Sequence, residues 1–211
     1  MEKLIIFDCD GVLVDSESIT NQVLVDYVNE FGVGITLERA LELFQGGTIA
    51  DWIHYVKVEH DIELPQEFVS NFRHKMKVAF EKELEPVSGV EKLIESLNCK
   101  ICIASNGPME KMETTLRVTK LNRYFGENIY SAYQINKFKP DPSLFLHAAK
   151  EMGIEPQHCT VIEDSPRGAQ AAVAAGMTVY GYDVYGKTQA LIDNGALLFT
   201  KMTDLIDRIG V

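Results

Sequence analysis

The sequence predicts an α/β protein: a doubly wound, Rossmann-like parallel sheet core with an inserted α-helical domain. Three observations predict it. A short apolar run, Leu4–Phe7, reads as a buried parallel strand. The block from residue 15 to about 83 shows helical periodicity and no convincing strand. From residue 86 onward, strand-like runs alternate with helical ones, the pattern of a parallel sheet covered on both faces. The expected core is therefore residues 1–14 and 86–211, with 15–85 as the insertion.

The first strand ends at Asp8, and Asp10-Gly11 releases the chain into a turn. Val12–Val14 is too short for another core strand, and Asp15-Ser16 suits a helix start. Ile19, Val23, Tyr27 and Phe31 then fall four apart, with Leu24 and Val28 beside them, as on one helix face ended by Gly32. Thr36 opens a short helix carrying Leu37, Ala40, Leu41 and Phe44, and Gln45-Gly46-Gly47 breaks it. Thr48-x-x-Asp51 caps a third helix with Ile49, Trp52, Ile53 and Val56. Pro65 opens a fourth with Phe68, Val69, Phe72, Met76 and Phe80. A simple crossover between parallel strands needs only one helix, so this block reads as a domain of its own.

Pro86-Val-Ser-Gly marks the return, and Ser88-x-x-Glu91 has the capping-box pattern ahead of Leu93, Ile94 and Leu97. Strands are expected at Lys100–Ala104, Ile129–Ala132, Thr160–Ile162, Thr178–Tyr182 and Leu197–Phe199. Helices are expected at Pro108–Leu116, Pro142–Met152, Pro166–Ala175, residues 188–193 and the stretch ending at Ile209.

With 211 residues, 46% of them hydrophobic, the chain can bury a sizeable core. Its net charge of −11 argues against nucleic acid or an anionic membrane as partner. It does not forbid a phosphate ligand, because a metal ion and one lysine can reverse the local field. Met1-Glu2-Lys3 leads straight into a strand without a signal-peptide h-region, and no apolar run approaches the ~20 residues of a membrane span. The four cysteines, Cys9, Cys99, Cys102 and Cys159, lie in or beside strand patterns, and Cys99-x-x-Cys102 has no second ligand pair. Reduced thiols fit the cytoplasm, where the chain is expected to act as a monomer.

Polar groups collect at the predicted strand ends: Asp8 and Asp10, then Ser105 and Asn106, then Glu163, Asp164 and Ser165, with Lys139 in a loop before Pro140. In a doubly wound sheet such ends converge on one rim. A carboxylate nucleophile, a second carboxylate, a hydroxyl at a helix start, one lysine and an acidic pair suit phosphoryl transfer with a divalent metal.

In order and residue type the chain resembles the haloacid dehalogenase-like hydrolase superfamily. The resemblance rests on Phe7-Asp-Cys-Asp-Gly-Val-Leu-Val-Asp, Ile103-Ala-Ser-Asn, Lys139-Pro and Val161-Ile-Glu-Asp-Ser, and it covers the whole chain. The helical insertion resembles the small cap of the β-phosphoglucomutase-like subfamily. Ser105-Asn-Gly-Pro, Lys111-Met and Lys139-Pro-Asp-Pro resemble members that act on 6-phosphogluconate.

The resemblance implies a phosphatase of small phosphate monoesters, sugar or sugar-acid phosphates, working through an aspartyl-phosphate on Asp8. It implies Asp10 as general acid and base, and Ser105, Asn106 and Lys139 as phosphate-binding residues. It implies Mg²⁺ held by Asp8, the Asp10 carbonyl, Asp164 and Glu163. Gln45-Gly46-Gly47-Thr48 matches a family cap loop that faces the active site, so Gly46, Gly47 and Thr48 are candidates for substrate contact, with a plain helix–helix turn as the alternative, and Arg73 is a candidate for an anionic substrate tail. A sugar phosphomutase is the alternative enzyme; Thr20 stands near the place of a histidine in the mutase pattern, which argues against it. A non-catalytic phosphate-binding regulatory module is the alternative from another class.

Overall fold

The structure, a computed structural model, describes residues 2–44, 48–184 and 186–209. The chain divides into two compact units, Met1–Asp15 with Glu85–Val211, and Ser16–Leu84.

The larger unit begins with β1 (Leu4–Phe7). The smaller contains α1 (Ser16–Asn29), α2 (Leu37–Phe44), α3 (Ile49–His60) and α4 (Phe68–Glu83). The larger resumes with α5 (Val90–Ser96), β2 (Lys100–Ser105), α6 (Met109–Val118), α7 (Asn122–Phe125), β3 (Ile129–Ser131), α8 (Ala132–Ile135) and α9 (Ser143–Met152). It closes with β4 (Cys159–Glu163), α10 (Pro166–Ala174), β5 (Thr178–Tyr182), α11 (Thr188–Asp193), β6 (Leu197–Phe199) and α12 (Leu205–Ile209).

The strands form one six-stranded sheet in the order β3-β2-β1-β4-β5-β6, with every pairing parallel. This is the doubly wound order, and its topological switch point lies between β1 and β4, where ligands of such sheets bind. The predicted fold class stands. Side-chain alternation along β1 explains its unbroken apolar run. Leu4 and Ile6 pack into a cluster with Cys102, Leu144, Phe145, Ala148 and Val161. Phe7, on the opposite face, meets Phe125 edge to face at 5.8 Å between ring centroids. Small residues along α10 (Ala169, Ala171 and Ala172, all buried) let that helix lie close against the sheet.

The smaller unit has its own core: Leu24, Val28, Trp52, Val56, Phe68 and Phe72, with Tyr27 stacked on Phe68 at 4.7 Å. Its third helix is capped as expected. Thr48 Oγ1 accepts from the Asp51 N–H at 3.3 Å, and Asp51 Oδ2 accepts from the Thr48 N–H at 2.6 Å.

Three local expectations need correction. Ser88 does not cap α5; Gly89 is the N-cap, in a left-handed conformation (φ 83°) that a glycine adopts at little cost. The strand expected to reach Ala132 stops at Ser131, because Ser131 caps α8 through its hydroxyl and the reciprocal Gln134 side chain. The helix expected from Pro65 begins at Phe68, after a turn in which the Pro65 carbonyl accepts from the Phe68 N–H at 2.9 Å.

Candidate active site

The carboxyl ends of β1, β2 and β4 bring the predicted residues of the core together. β1 lies between the other two, with Phe7 opposite Ile103 on one side and Ile162 on the other. Asp8 follows directly, and its N–H donates to the Ile162 carbonyl at 2.9 Å, which fixes the residue at the strand end. Asp8, Ser105, Lys139, Glu163 and Asp164 are all buried.

Lys139 is the hub. Its Nζ donates to Asp8 Oδ1 at 2.5 Å and to Glu163 Oε1 at 2.6 Å. Its backbone is fixed as well: the N–H donates to Asn106 Oδ1 at 2.9 Å, and the carbonyl accepts from the Arg167 guanidinium at 3.1 Å. The lysine predicted from the Lys-Pro pair is therefore held at both ends of its side chain. Asn106 joins the loops after β2 and before α9 through its side chain, a role its sequence position did not disclose.

Glu163 differs from the expectation of a metal ligand. Oε1 is taken by Lys139, and Oε2 accepts from both the N–H and the hydroxyl of Ser165, each at 2.8 Å. Both oxygens are thus engaged, one by Lys139 and the other at the start of α10. Ser165 also caps α10 by accepting from the Gly168 N–H at 3.1 Å.

Gly168 makes room for this arrangement. A Cβ at that position would lie 1.8 Å from Glu163 Oε1 and 1.9 Å from its Cδ. Because Glu163 is buried and pinned, it has nowhere to retreat. Gly168→Ala is expected to cost about 1–3 kcal/mol by overpacking, read as a lower urea midpoint at unchanged m-value. An unaltered midpoint would show that Glu163 swings aside freely.

Each remaining acid also meets a lysine. Lys111 Nζ, from the first turn of α6, lies 2.8 Å from Asp10 Oδ2, and Lys187 Nζ lies 3.1 Å from Asp164 Oδ2. Among the described residues, these four carboxylates thus pair with three lysines. Burial pushes the Asp8 carboxyl up to about 8; Lys139 opposes this, while Glu163 and Asp164 add to it. Burial works against the Lys139 ammonium, but Asp8 and Glu163 more than offset it and hold it well above the usual lysine range. Lys111 is likewise raised, its burial outweighed by Asp10.

Asp8 and Asp10 occupy different surroundings. The Asp8 side chain is 10% exposed and that of Asp10 is 32% exposed. Cys9 between them is buried, and burial with both flanking acids pushes its thiol up, so it is a core residue.

Ser105 Oγ accepts from the Gly107 N–H at 3.1 Å. A Cβ on Gly107 would lie 3.5 Å from Ser105 Oγ and 3.8 Å from Asp10 Oδ2, so both line the space beside that glycine. Ser131 Oγ donates to the Gly107 carbonyl at 2.7 Å and steadies the same loop.

The cap candidates belong to the smaller unit. Gly46 and Gly47 lie outside the described residues. Thr48 is exposed, with its hydroxyl engaged in its own helix cap, and Arg73 is exposed on α4. Sequence reasoning missed Lys111, Arg167 and Lys187 as members of the site. Among the described residues no helix is long and apolar enough to cross a membrane.

The structure is a doubly wound α/β core with an aspartate–lysine–glutamate centre at its switch point. The family model for haloacid dehalogenase-like hydrolases matches residues 5–182, and the chain belongs to that family.

A 6-phosphogluconate phosphatase of Escherichia coli is 32% identical over 204 residues, 96% of this chain and 92% of the relative. A phosphorylated carbohydrates phosphatase of Thermotoga maritima is 26% identical, covering 93% of this chain and 90% of the relative. Among solved structures, a haloacid dehalogenase-like protein of unknown function from Agrobacterium tumefaciens superposes with a TM-score of 0.88 at 34% identity, covering 99% and 98% of the two chains. A family hydrolase from Deinococcus radiodurans with bound phosphate and sodium superposes with a TM-score of 0.84 at 31% identity, covering 97% and 93%.

Proposed function

We propose that the protein is a Mg²⁺-dependent phosphatase of sugar or sugar-acid phosphates, 6-phosphogluconate among them, acting through an aspartyl-phosphate on Asp8. The observation that carries this reading is Lys139 Nζ bonded to both Asp8 and Glu163 at the switch point of the sheet. The relatives that act on phosphorylated carbohydrates, and the phosphate held by a structural neighbour, support the choice of substrate class.

Lys139 grips Asp8 Oδ1 and turns the opposite oxygen of that carboxylate toward phosphorus. Attack forms an O–P bond to Asp8 and breaks the ester O–P bond. Asp10, the more open of the two aspartates, delivers a proton to the departing alkoxide. In the second half it accepts a proton from water, whose oxygen attacks phosphorus and frees Asp8. Ser105 and the N–H groups beside it hold the phosphoryl oxygens.

The donor set fits a hard divalent cation. Asp8 and Asp164 are carboxylates close enough to perturb each other, the Asp10 carbonyl lies on the same loop, and the missing Cβ of Gly11 would stand 2.8 Å from the Asp164 carboxylate. Asp8, Asp164 and the Asp10 carbonyl would hold Mg²⁺, which supplies the positive charge that a phosphate dianion and an ionised Asp8 require.

The test is phosphate release from a panel of sugar and sugar-acid phosphates. Release is expected with Mg²⁺ and is expected to vanish on chelation and return on Mg²⁺ addition. No release from any ester with Mg²⁺ or Mn²⁺ would sink the reading. The same panel run on Arg73→Ala tests the assignment of that residue to anionic substrate tails.

A further inference from the structure

We propose that Lys111 is a second phosphate-binding cation, bridging Asp10 and a phosphoryl oxygen of the substrate; this rests on the phosphatase reading above. Apart from the Mg²⁺ that the reading above places on Asp8 and Asp164, the other protein groups named at the site have little positive charge left to offer. Lys139 is buried and bonded to two carboxylates, so its charge is more than neutralised within the centre. Lys187 lies on Asp164. Ser105 Oγ and backbone N–H groups are neutral donors. Lys111 faces Asp10 at 2.8 Å, and its side chain is 27% exposed against 3% for Lys139.

Position supports the same role. The Asp10 Oδ2 that Lys111 bonds is also the atom 3.8 Å from the Cβ position of Gly107, and Ser105 Oγ is 3.5 Å from that position. Lys111 therefore borders the space lined by the general acid and the phosphate-binding serine. An ammonium carries three donors in a rotatable head, so one can stay on Asp10 while another meets a phosphoryl oxygen. Such a bridge ties the proton donor to the group whose leaving oxygen it must reach.

The experiment separates direct contact from an effect relayed through Asp10. Binding of inorganic phosphate in the presence of Mg²⁺ is measured by calorimetry for wild type, Asp10→Asn, Lys111→Met and the double variant. A charge-assisted bond to phosphate predicts that Lys111→Met weakens binding about tenfold or more, both with the Asp10 carboxylate in place and in the Asp10→Asn background. Equal affinity of Asp10→Asn and the double variant would overturn the proposal, because Lys111 would then act only through the Asp10 carboxylate. Lys111→Gln in the same background gives the same comparison if methionine perturbs folding. Wild-type protein that binds no phosphate with Mg²⁺ would overturn the Lys111 assignment, whereas the phosphatase reading falls only if the ester panel releases no phosphate.

Discussion

Asp8→Asn is expected to lower phosphate release by a factor on the order of 10⁴ or more while leaving the fold intact. Asparagine has the shape of aspartate and keeps an oxygen to accept from Lys139, so the hub survives. What is lost is the anionic oxygen that attacks phosphorus, and Asp10 cannot replace it from its more open position on the next turn. Stability should hold or rise. Burial raises the wild-type carboxyl to about 8, which means that ionising Asp8 in the folded chain costs free energy when no divalent cation is present. An amide removes that cost. The assay pairs steady-state phosphate release with a thermal melt in chelator. A variant within tenfold of wild-type turnover would remove Asp8 as the nucleophile, and a collapsed melt would show that the carboxylate is structural.

How much of this was legible in the sequence depends on distance along the chain. The apolar runs Leu4–Phe7 and Ile101–Ala104 end where polar residues begin, so the strand ends and Asp8 and Ser105 could be placed from local pattern. Trp52 and Phe72 were legible as core for the same reason, and both are buried. Lys111 was not, because its partner Asp10 is 101 residues away and helical periodicity says nothing of what a polar face meets. Arg167 and Lys187 were hidden likewise.

Glu163 and Asp164 illustrate a subtler limit. Neighbouring residues at a strand end point to opposite sides, so two adjacent acids need not share a ligand. Gly168 was the available clue: a glycine one turn into a helix, five residues after an acid, marks a place where the buried carboxylate needs the room of a side chain. At Ser88 the capping-box pattern was outcompeted by Gly89, whose left-handed conformation starts the helix one residue later.

Lys139→Met should be the most damaging single change to the folded core. It removes the counter-ion of two buried carboxylates at once, and breaking a buried pair from one side costs about 3–5 kcal/mol. Activity should fall on the order of 10³-fold, since Asp8 loses its orientation and the phosphate a neighbouring cation. The loss of stability carries a pH signature whose sign follows from linkage. In wild type the Asp8 carboxyl already titrates at about 8 when folded, against 3.8 for the ordinary side chain, with burial the leading cause. Over that window the folded state binds the extra proton, so its stability falls as pH rises.

Without Lys139, burial and the neighbouring carboxylates of Glu163 and Asp164 are left to raise Asp8 further, and Glu163 loses its ammonium partner too. The variant should therefore be closest to wild type in stability at about pH 6, where Asp8 is protonated in both folded chains, and furthest from it at about pH 9.5, where wild-type Asp8 has ionised and the variant's has not. Urea unfolding at the two pH values in the presence of chelator measures the gap. A gap that is equal at both, or larger at acid pH, would mean that Lys139 stabilises the core through its packing on Phe145, over whose ring its Nζ lies at 4.8 Å, rather than through the charges of Asp8 and Glu163.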